Sequence, residues 1–301
     1  MITGANGFIG INLTKKFVEL GFSPCVIVRN KTIHNEILKL KNKASIYIVD
    51  LSNAQKIKKI INSFKPDILI HLASTNINDV TLTDKDHINI NINILLNLLD
   101  PLKGSKTKII YSGSVAKYEQ KKLITENTQI IPPNSYGLSK FLVSELAKKI
   151  SNLYNLELIE LVLFSPFGPY EREQRFIPYI VSKLIQKDEL VIQNFYEKRD
   201  YVYISDVINA FILACRKKRG QSISLNICSG KSINNLNIVK TILSQMGLKK
   251  KLVNLNKKSE INYNSKNVLA KKILNWEPEV SFNDGIEMYI DFLLRKEGFY
   301  G

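Results

Sequence analysis

Cysteine is scarce. Only Cys25, Cys215 and Cys228 occur in 301 residues, far apart and without a C-x-x-C pair. That argues against a disulfide framework or a cysteine zinc site and suits a reducing compartment; no metal site is expected. Long apolar runs are missing as well. None approaches the roughly 18 residues of a membrane span, and Met1 and Ile2 lead straight into a glycine-rich segment rather than a signal peptide. A cytoplasmic protein without membrane contact is the expectation. Acidic residues are outnumbered, with 27 Asp and Glu against 43 Lys and Arg, a formal net charge of +16. Such an excess raises a polyanionic partner such as nucleic acid. The cations, however, lie in short scattered groups such as Lys56, Lys58, Lys59 and Lys65, residues 216–219, and Lys249 to Lys251. No aromatic-lined RNA motif or zinc module accompanies them, so solvated lysines are expected and a nucleic-acid partner is not.

What is present is ordinary for a folded chain: 45% hydrophobic and 23% charged residues exclude wholesale disorder. The length allows one large domain or two ordinary ones. Short apolar β-branched runs alternate with amphipathic stretches through the first half, the pattern of a parallel sheet covered by helices. Strands are expected at Pro24 to Val28, Ser45 to Val49, Asp67 to Leu72, Lys108 to Ser112 and Leu156 to Leu163. Helices are expected near Phe8 to Leu20, Ala54 to Phe64, Asp84 to Leu99 and Ser139 to Leu153. The strands read as continuous apolar runs, as strands buried on both faces do. After Phe164 the alternation loosens at Pro166, Gly168, Pro169 and Pro178, and the chain is expected to rejoin the sheet near Arg199 to Val207 and Ser222 to Ile227. The fold class is therefore α/β, a doubly wound parallel sheet with a smaller discontinuous C-terminal lobe. Residues 1–164, with returns near 199–228, form the first domain; 165–198 and 229–301 form the lobe.

Thr3-Gly4-Ala5-Asn6-Gly7-Phe8-Ile9-Gly10 spaces its glycines by three and three directly before a helical pattern. Glycines permit a tight turn and close backbone approach to a pyrophosphate, and the helix start offers free N–H groups to it. In this setting the loop points to dinucleotide binding. Further pieces follow in order: Asp50-Leu51, Ile70-His71-Leu72-Ala73, Asn91 with Asn97-Leu98-Leu99, Ser114, Tyr136-Gly137-Leu138-Ser139-Lys140, Phe164 to Pro169, Arg199-Asp200-Tyr201 and Asn275-Trp276-Glu277-Pro278. Together they make the whole chain resemble the extended short-chain dehydrogenases/reductases, the group of nucleotide-sugar epimerases, dehydratases and reductases. The resemblance implies a Rossmann-type domain, a substrate-binding lobe, and a homodimer paired through helices near 84–99 and 139–153.

Tyr136 and Lys140, four residues apart on a helix, face one side a turn apart. An ammonium there, with the charge of an oxidised nicotinamide, would stabilise a phenolate and let the tyrosine exchange a proton. The resemblance makes Tyr136 the proton-exchanging group and gives Lys140 the nicotinamide ribose. It makes Ser114 the hydroxyl that steadies the reacting oxygen. Gly4, Gly7, Phe8, Ile9 and Gly10 would hold the pyrophosphate, Asp50 and Leu51 the adenine. Leu72, Ala73, Ser74, Ser112 and Pro166 would complete the cofactor site with Tyr136 and Lys140. Ser74, Ser114, Ser165, Arg175 and Arg199 are the expected substrate contacts, Arg199 on the diphosphate. Ser165, Val162 and Ile94-Leu95 depart from the usual Asn, Arg and Gly-Thr of the family. His71, Asp200 and Asp206 read as structural.

Two absences narrow the chemistry. Sugar 4,6-dehydratases carry an Asp-Glu pair directly after the serine, where this chain has Val115 and Ala116, neither able to move a proton. The 3,5-epimerase/reductases that resemble fucose synthases use a cysteine two residues after it, and Ala116 stands there. Hydride transfer at one carbon remains. At the end of the second strand Arg29 and Asn30 occupy the place where NAD enzymes usually have an acid, and a guanidinium suits a 2′-phosphate, so NADP(H) is favoured over NAD(H). The expected activity is NADPH-dependent reduction of a nucleoside-diphosphate 4-keto-6-deoxysugar, with Ser-Pro-Phe-Gly-Pro-Tyr-Glu resembling reductases of the abequose, paratose and deoxytalose kind. The alternatives are an NAD-dependent nucleotide-sugar 4-epimerase and a non-catalytic dinucleotide-binding or RNA-associated member. The strand before the glycine loop is only Met1 and Ile2, where strands usually run about five or six residues. Its neighbours should then hold unpaired backbone groups, and either an upstream extension of the chain supplies their partners or the sheet tolerates a stub strand and the protein is only marginally stable.

Overall fold

In the computed structural model of the protein the described residues are 1–29, 33–75, 81–119, 123–186, 190–249, 252–255 and 262–296. The chain runs β1 (Ile2–Thr3), α1 (Phe8–Glu19), β2 (Cys25–Val28), α2 (Asn35–Leu38), β3 (Ser45–Ile48), α3 (Ala54–Phe64), β4 (Ile68–His71) and α4 (Asp84–Leu99). It continues through β5 (Lys108–Ser114), β6 (Leu123–Ile124), α5 (Ser135–Leu153), β7 (Glu157–Leu163), β8 (Ser165–Phe167), α6 (Phe176–Ile185) and β9 (Leu190–Ile192). Last come β10 (Lys198–Tyr203), α7 (Ile204–Arg216), β11 (Ile223–Ile227), β12 (Ser232–Asn234), α8 (Asn235–Gln245), β13 (Leu252–Asn254), β14 (Asn264–Ser265), α9 (Val268–Leu274) and α10 (Phe282–Lys296).

The central sheet has seven strands in the order β11-β7-β5-β4-β1-β2-β3. Chain order reverses between β1 and β4, the point at which open α/β sheets place a ligand beyond their strand ends. β2, β5 and β7 are apolar and buried along most of their length, as a sheet covered on both faces requires. β3 departs from that expectation. It is an edge strand, and Ser45 and Ile48 are exposed. The Asn-rich sequence serves the helix starts: Asn53, Asn134 and Asn234 each accept a backbone N–H from the first turn, and Thr83 with Asp86 closes a capping box on α4.

The short first strand is paired on both sides. Ile2 and Thr3 register with Val26 and Ile27 on one flank and with Ile70 and His71 on the other. The Met1 ammonium donates to the Ile68 carbonyl at 2.7 Å, and Ile70 N–H donates to the Met1 carbonyl at 2.9 Å. The Ile68 carbonyl and the Ile70 N–H beside the short strand thus have partners.

Two compact units divide the chain. The first comprises 1–119, 128–163 and 208–225; the second comprises 120–127, 164–207 and 226–301. Residues 199–207 do not rejoin the central sheet. Lys198–Tyr203 instead lies between β8 and β12 in a separate three-stranded sheet, and residues 204–207 already belong to α7. The residues near 120–127 join the second unit because Leu123 and Ile124 pair with Asn264 and Ser265. In that unit Asp200 accepts from Ser229 N–H, Gly230 N–H and the Ser265 hydroxyl at 2.6–2.8 Å, and Asp206 accepts from Val280 N–H at 3.0 Å. Both aspartates orient backbone, the role their sequence setting implies. Among the described residues no helix is long and apolar enough to cross a membrane.

Candidate active site

The glycine loop follows β1 and closes on itself. Gly4 has φ +71, a conformation that L side chains rarely adopt, and a Cβ there would come within 2.7 Å of the Ala73 nitrogen. At Gly10 a Cβ would lie 2.3 Å from the Gly4 carbonyl oxygen and 2.6 Å from Ala5 Cα. Side chains at either position would force the loop away from α1 and from the Leu72-Ala73 segment after β4. Gly7 caps α1 without any side-chain hydrogen bond, and no acidic residue occupies the first turn. The start of α1, with Phe8, Ile9 and Gly10, therefore presents backbone donors and the positive end of the helix dipole, with no acidic residue in its first turn to neutralise them. That cradle fits a pyrophosphate. The Asn6 side chain accepts from His34 N–H at 2.6 Å and so ties the loop to the segment after β2. Arg29 follows β2 directly and is exposed; Asn30 lies outside the described residues. Asp50, also exposed, accepts from Ser52 N–H at 2.8 Å, whereas Leu51 is buried and its carbonyl accepts from Asn97 at 2.9 Å.

Ser112 and Ser114 are half-buried at the end of β5. Ser114 caps a single 3-10 turn over Val115–Lys117, its hydroxyl oxygen accepting from Ala116 N–H at 3.2 Å. A hydroxyl has one hydrogen to give, and accepting from Ala116 leaves that hydrogen for a substrate oxygen. Tyr136 and Lys140 sit in the first turns of α5, which Asn134 caps by accepting from Gly137 N–H at 2.9 Å. The Lys140 ammonium lies 5.8 Å from the centre of the Tyr136 ring; the lysine is buried and the tyrosine half-buried. One residue that brings the serine turn and this helix together is Gly137. A Cβ there would stand 2.2 Å from the Ala116 carbonyl oxygen, so only glycine lets the start of α5 rest on the turn that follows Ser114. Its signal in the sequence is a glycine inside a helix, which costs about 1 kcal/mol against alanine and calls for a packing reason.

Beneath these groups is a polar floor. Lys140 lines a small hollow with His71, Ala73, Ser74, Asn91 and Tyr111. His71 meets the Thr3 hydroxyl through Nδ1 at 2.8 Å, and burial, reinforced by the Lys140 charge, pushes its pKa down to about 3, so the ring is neutral. Burial holds the Tyr111 phenol well above its ordinary value. Asn91 accepts from Thr75 N–H at 2.9 Å and donates to the Thr75 and Ser139 hydroxyls at 3.0 Å, while His87 Nδ1 meets the Thr75 hydroxyl at 2.8 Å. This network fixes the chain after β4 to the residue preceding Lys140. A second buried feature, not read from the sequence, joins Lys117 to Glu160 at 2.8 and 2.9 Å. Burial raises the Glu160 carboxyl, but the Lys117 charge and the hydrogen bonds from Lys117 and Ser224 outweigh it and hold the group below its usual range.

The remaining residues expected to contact substrate belong to the second unit. Ser165 is buried and Pro166 half-buried on β8, in register with Tyr201 and Val202. Arg175 caps α6 and lies 3.5 Å from Glu171, whose carboxyl burial pushes up to about 7 against the pull of Arg175. Arg199 projects from β10 and its guanidinium is engaged by Glu197 at 2.5–2.7 Å. A diphosphate held by Arg199 would have to displace or share that carboxylate.

Known proteins resemble this chain in sequence and fold. Residues 1–228 fit the model of the NAD dependent epimerase/dehydratase family. The chain is 29% identical to an Escherichia coli dTDP-4-dehydro-6-deoxyglucose reductase over 310 residues, 96% of each protein. It is 28% identical to a UDP-glucuronate 4-epimerase of Thermodesulfobacterium geofontis, covering 97% of this chain and 95% of the relative. Among solved structures, UDP-glucose 4-epimerase of Thermotoga maritima shares the fold with a TM-score of 0.89 at 22% identity, over 98% of both chains. The chain therefore belongs to the NAD dependent epimerase/dehydratase family and is an NAD(P)-dependent enzyme of the extended short-chain dehydrogenase/reductase type.

Proposed function

We propose that the protein reduces a nucleoside-diphosphate 4-keto-6-deoxysugar with NADPH, delivering hydride to C4. The observation that carries this reading is the turn after Ser114, where buried Val115 and half-buried Ala116 offer no proton-transferring side chain next to the serine. Elimination of water needs such a group, and hydride transfer at one carbon does not. Arg29 at the end of β2 supports NADPH, because a guanidinium attracts a 2′-phosphate that an acid in its place would repel.

When bound, the dinucleotide supplies the hydride. The glycine loop and the start of α1 would hold its pyrophosphate, Asp50 and Leu51 its adenine, and Lys140 its ribose. Tyr136 donates its hydroxyl proton to the sugar oxygen as charge develops there. Ser114 donates a hydrogen bond to the same oxygen, and its own oxygen is kept in place by Ala116 N–H. Arg175 and Arg199 are assigned to the diphosphate, Ser74 and Ser165 to the sugar.

The test is incubation with NADPH and a panel of 4-keto nucleotide sugars that includes dTDP-4-dehydro-6-deoxyglucose. NADPH oxidation matched by a 4-hydroxy product supports the reading. A second reading, a 4-epimerase that retains NAD, is supported by the UDP-glucuronate 4-epimerase relative. Conversion of UDP-glucuronate to its 4-epimer without NADPH consumption would put that reading first.

A further inference from the structure

Lys117 and Glu160 are charged side chains with 1% and 0% of their surface exposed, deep in the first unit. Removing two charges from water rarely gains net stability over an apolar pair of the same shape, so the pair calls for another reason. Its surroundings supply one. Lys117 ends the single 3-10 turn that Ser114 begins. Its ammonium donates to both Glu160 oxygens on β7 and lies 3.4 Å from the Ser144 hydroxyl on α5, one helical turn beyond Lys140. Glu160 also accepts from the Ser224 hydroxyl of β11 at 2.6 Å. Its carboxylate lies against Gly113, the residue before Ser114, where a Cβ would come within 2.4 Å of Oε1. The charged pair thus grips the chain on both sides of Ser114 and fastens it to β7, β11 and the helix that carries Tyr136 and Lys140.

We propose that Lys117 and Glu160 are positioning residues for Ser114: their ion pair sets where the serine hydroxyl points relative to Tyr136. The inference rests on the catalytic role given to Ser114 above. Apolar contacts alone would let the turn roll or slide, whereas a two-pronged bond to a carboxylate fixes both distance and direction. A misplacement of about 1 Å in a reacting geometry costs on the order of 10²-fold in rate.

The test combines Lys117→Met/Glu160→Gln, which removes both charges at nearly constant volume, with Ser114→Ala. Each variant and their combination are assayed with NADPH and dTDP-4-dehydro-6-deoxyglucose, or with NAD and UDP-glucuronate if that is the pair turned over. Melting temperature and NADPH affinity are measured alongside. The charge-free variant should melt within a few degrees of the parent and bind NADPH unchanged, with kcat lowered on the order of 10²-fold. Adding Ser114→Ala should then lower kcat no further than Ser114→Ala does by itself, because both changes act through one hydroxyl. Parental kcat in the folded charge-free variant, or losses that multiply, would overturn the positioning role while leaving Ser114 in place. Parental kcat in Ser114→Ala would instead remove the role of Ser114 and the inference with it. Should the charge-free variant not fold, Glu160→Asp keeps the charge and shortens its reach by one carbon; lowered kcat at parental NADPH affinity is the expected result, and parental kcat overturns the proposal.

Discussion

Tyr136 is the side chain on which turnover should depend most sharply. Tyr136→Phe keeps the ring packed against Lys140, whose ammonium lies 5.8 Å from its centre, but removes the exchangeable proton. Cofactor affinity should stay within a few fold while kcat drops about 10²- to 10⁴-fold, as loss of a positioned proton donor does; binding titration and steady-state kinetics read the two separately. Arg29 is proposed to set a different quantity. Arg29→Asp should weaken NADPH through repulsion of the 2′-phosphate and leave NADH nearly untouched, so the ratio of their kcat/KM values should fall and could invert. Equal use of both cofactors by the parent would take Arg29 out of this role. Both residues were recognisable as candidates in the sequence because each is a chemical type at a recognisable place: a tyrosine four before a lysine, a cation where an acid usually stands. Lys117 and Glu160 were not. They are 43 residues apart, on a turn and a strand that each read locally as ordinary, and only the sheet brings them together.

At the scale of the element, Gly137 shows how little space separates the serine turn from the tyrosine helix. Gly137→Ala would raise intrinsic helix propensity, yet its methyl would meet the Ala116 carbonyl oxygen at 2.2 Å. Overpacking should win, with a loss of about 1–3 kcal/mol in denaturant unfolding and a matching displacement of Ser114 from Tyr136 that lowers kcat. A stabilised, fully active variant would mean that the turn yields freely. Helices α3 and α4 occupy the spans their apolar spacing predicts, because Asn53 and Thr83 cap them where the periodicity begins. Helix α5 starts four residues earlier than its periodicity implies. Its cap is Asn134, and the glycine in its first turn reads as a break unless its contact with the serine turn is known. The stretch from Arg199 to Val207 carries Tyr201, Val202, Tyr203, Ile204 and Val207 and reads as one strand. The strand ends at Tyr203 because Asp206 is drawn into α7, with its side chain on Val280 N–H and its carbonyl on the Trp276 indole, contacts some 70 residues away in sequence.

For the molecule as a whole, acid stability offers a readout independent of substrate. His71 is neutral in the folded state, with a pKa near 3 against 6.5 for the free side chain. Its folded value is depressed, so it contributes stability fully present above pH 6.5 and lost as pH falls toward 3. At about 1.4 kcal/mol per unit the total reaches a few kcal/mol. The melting temperature should therefore decline through this window, and His71→Asn should flatten the decline; an unchanged slope would mean that other groups control it. The parallel sheet covered by helices was readable from alternating apolar runs and a glycine loop. The separate three-stranded sheet was not, since its strands come from distant segments and carry no signal of which sheet they join.

Reduction as proposed passes hydride from exogenous NADPH to one carbon of a 4-keto nucleotide sugar. NADPH dideuterated at C4 of the nicotinamide, supplied together with dTDP-4-dehydro-6-deoxyglucose, traces that transfer when the label is located in the product by NMR. One deuterium at C4 of the sugar is expected for each NADPH oxidised. NADPH left unoxidised, beside 4-epimerisation of UDP-glucuronate that proceeds without added cofactor and without label in the product, would contradict it.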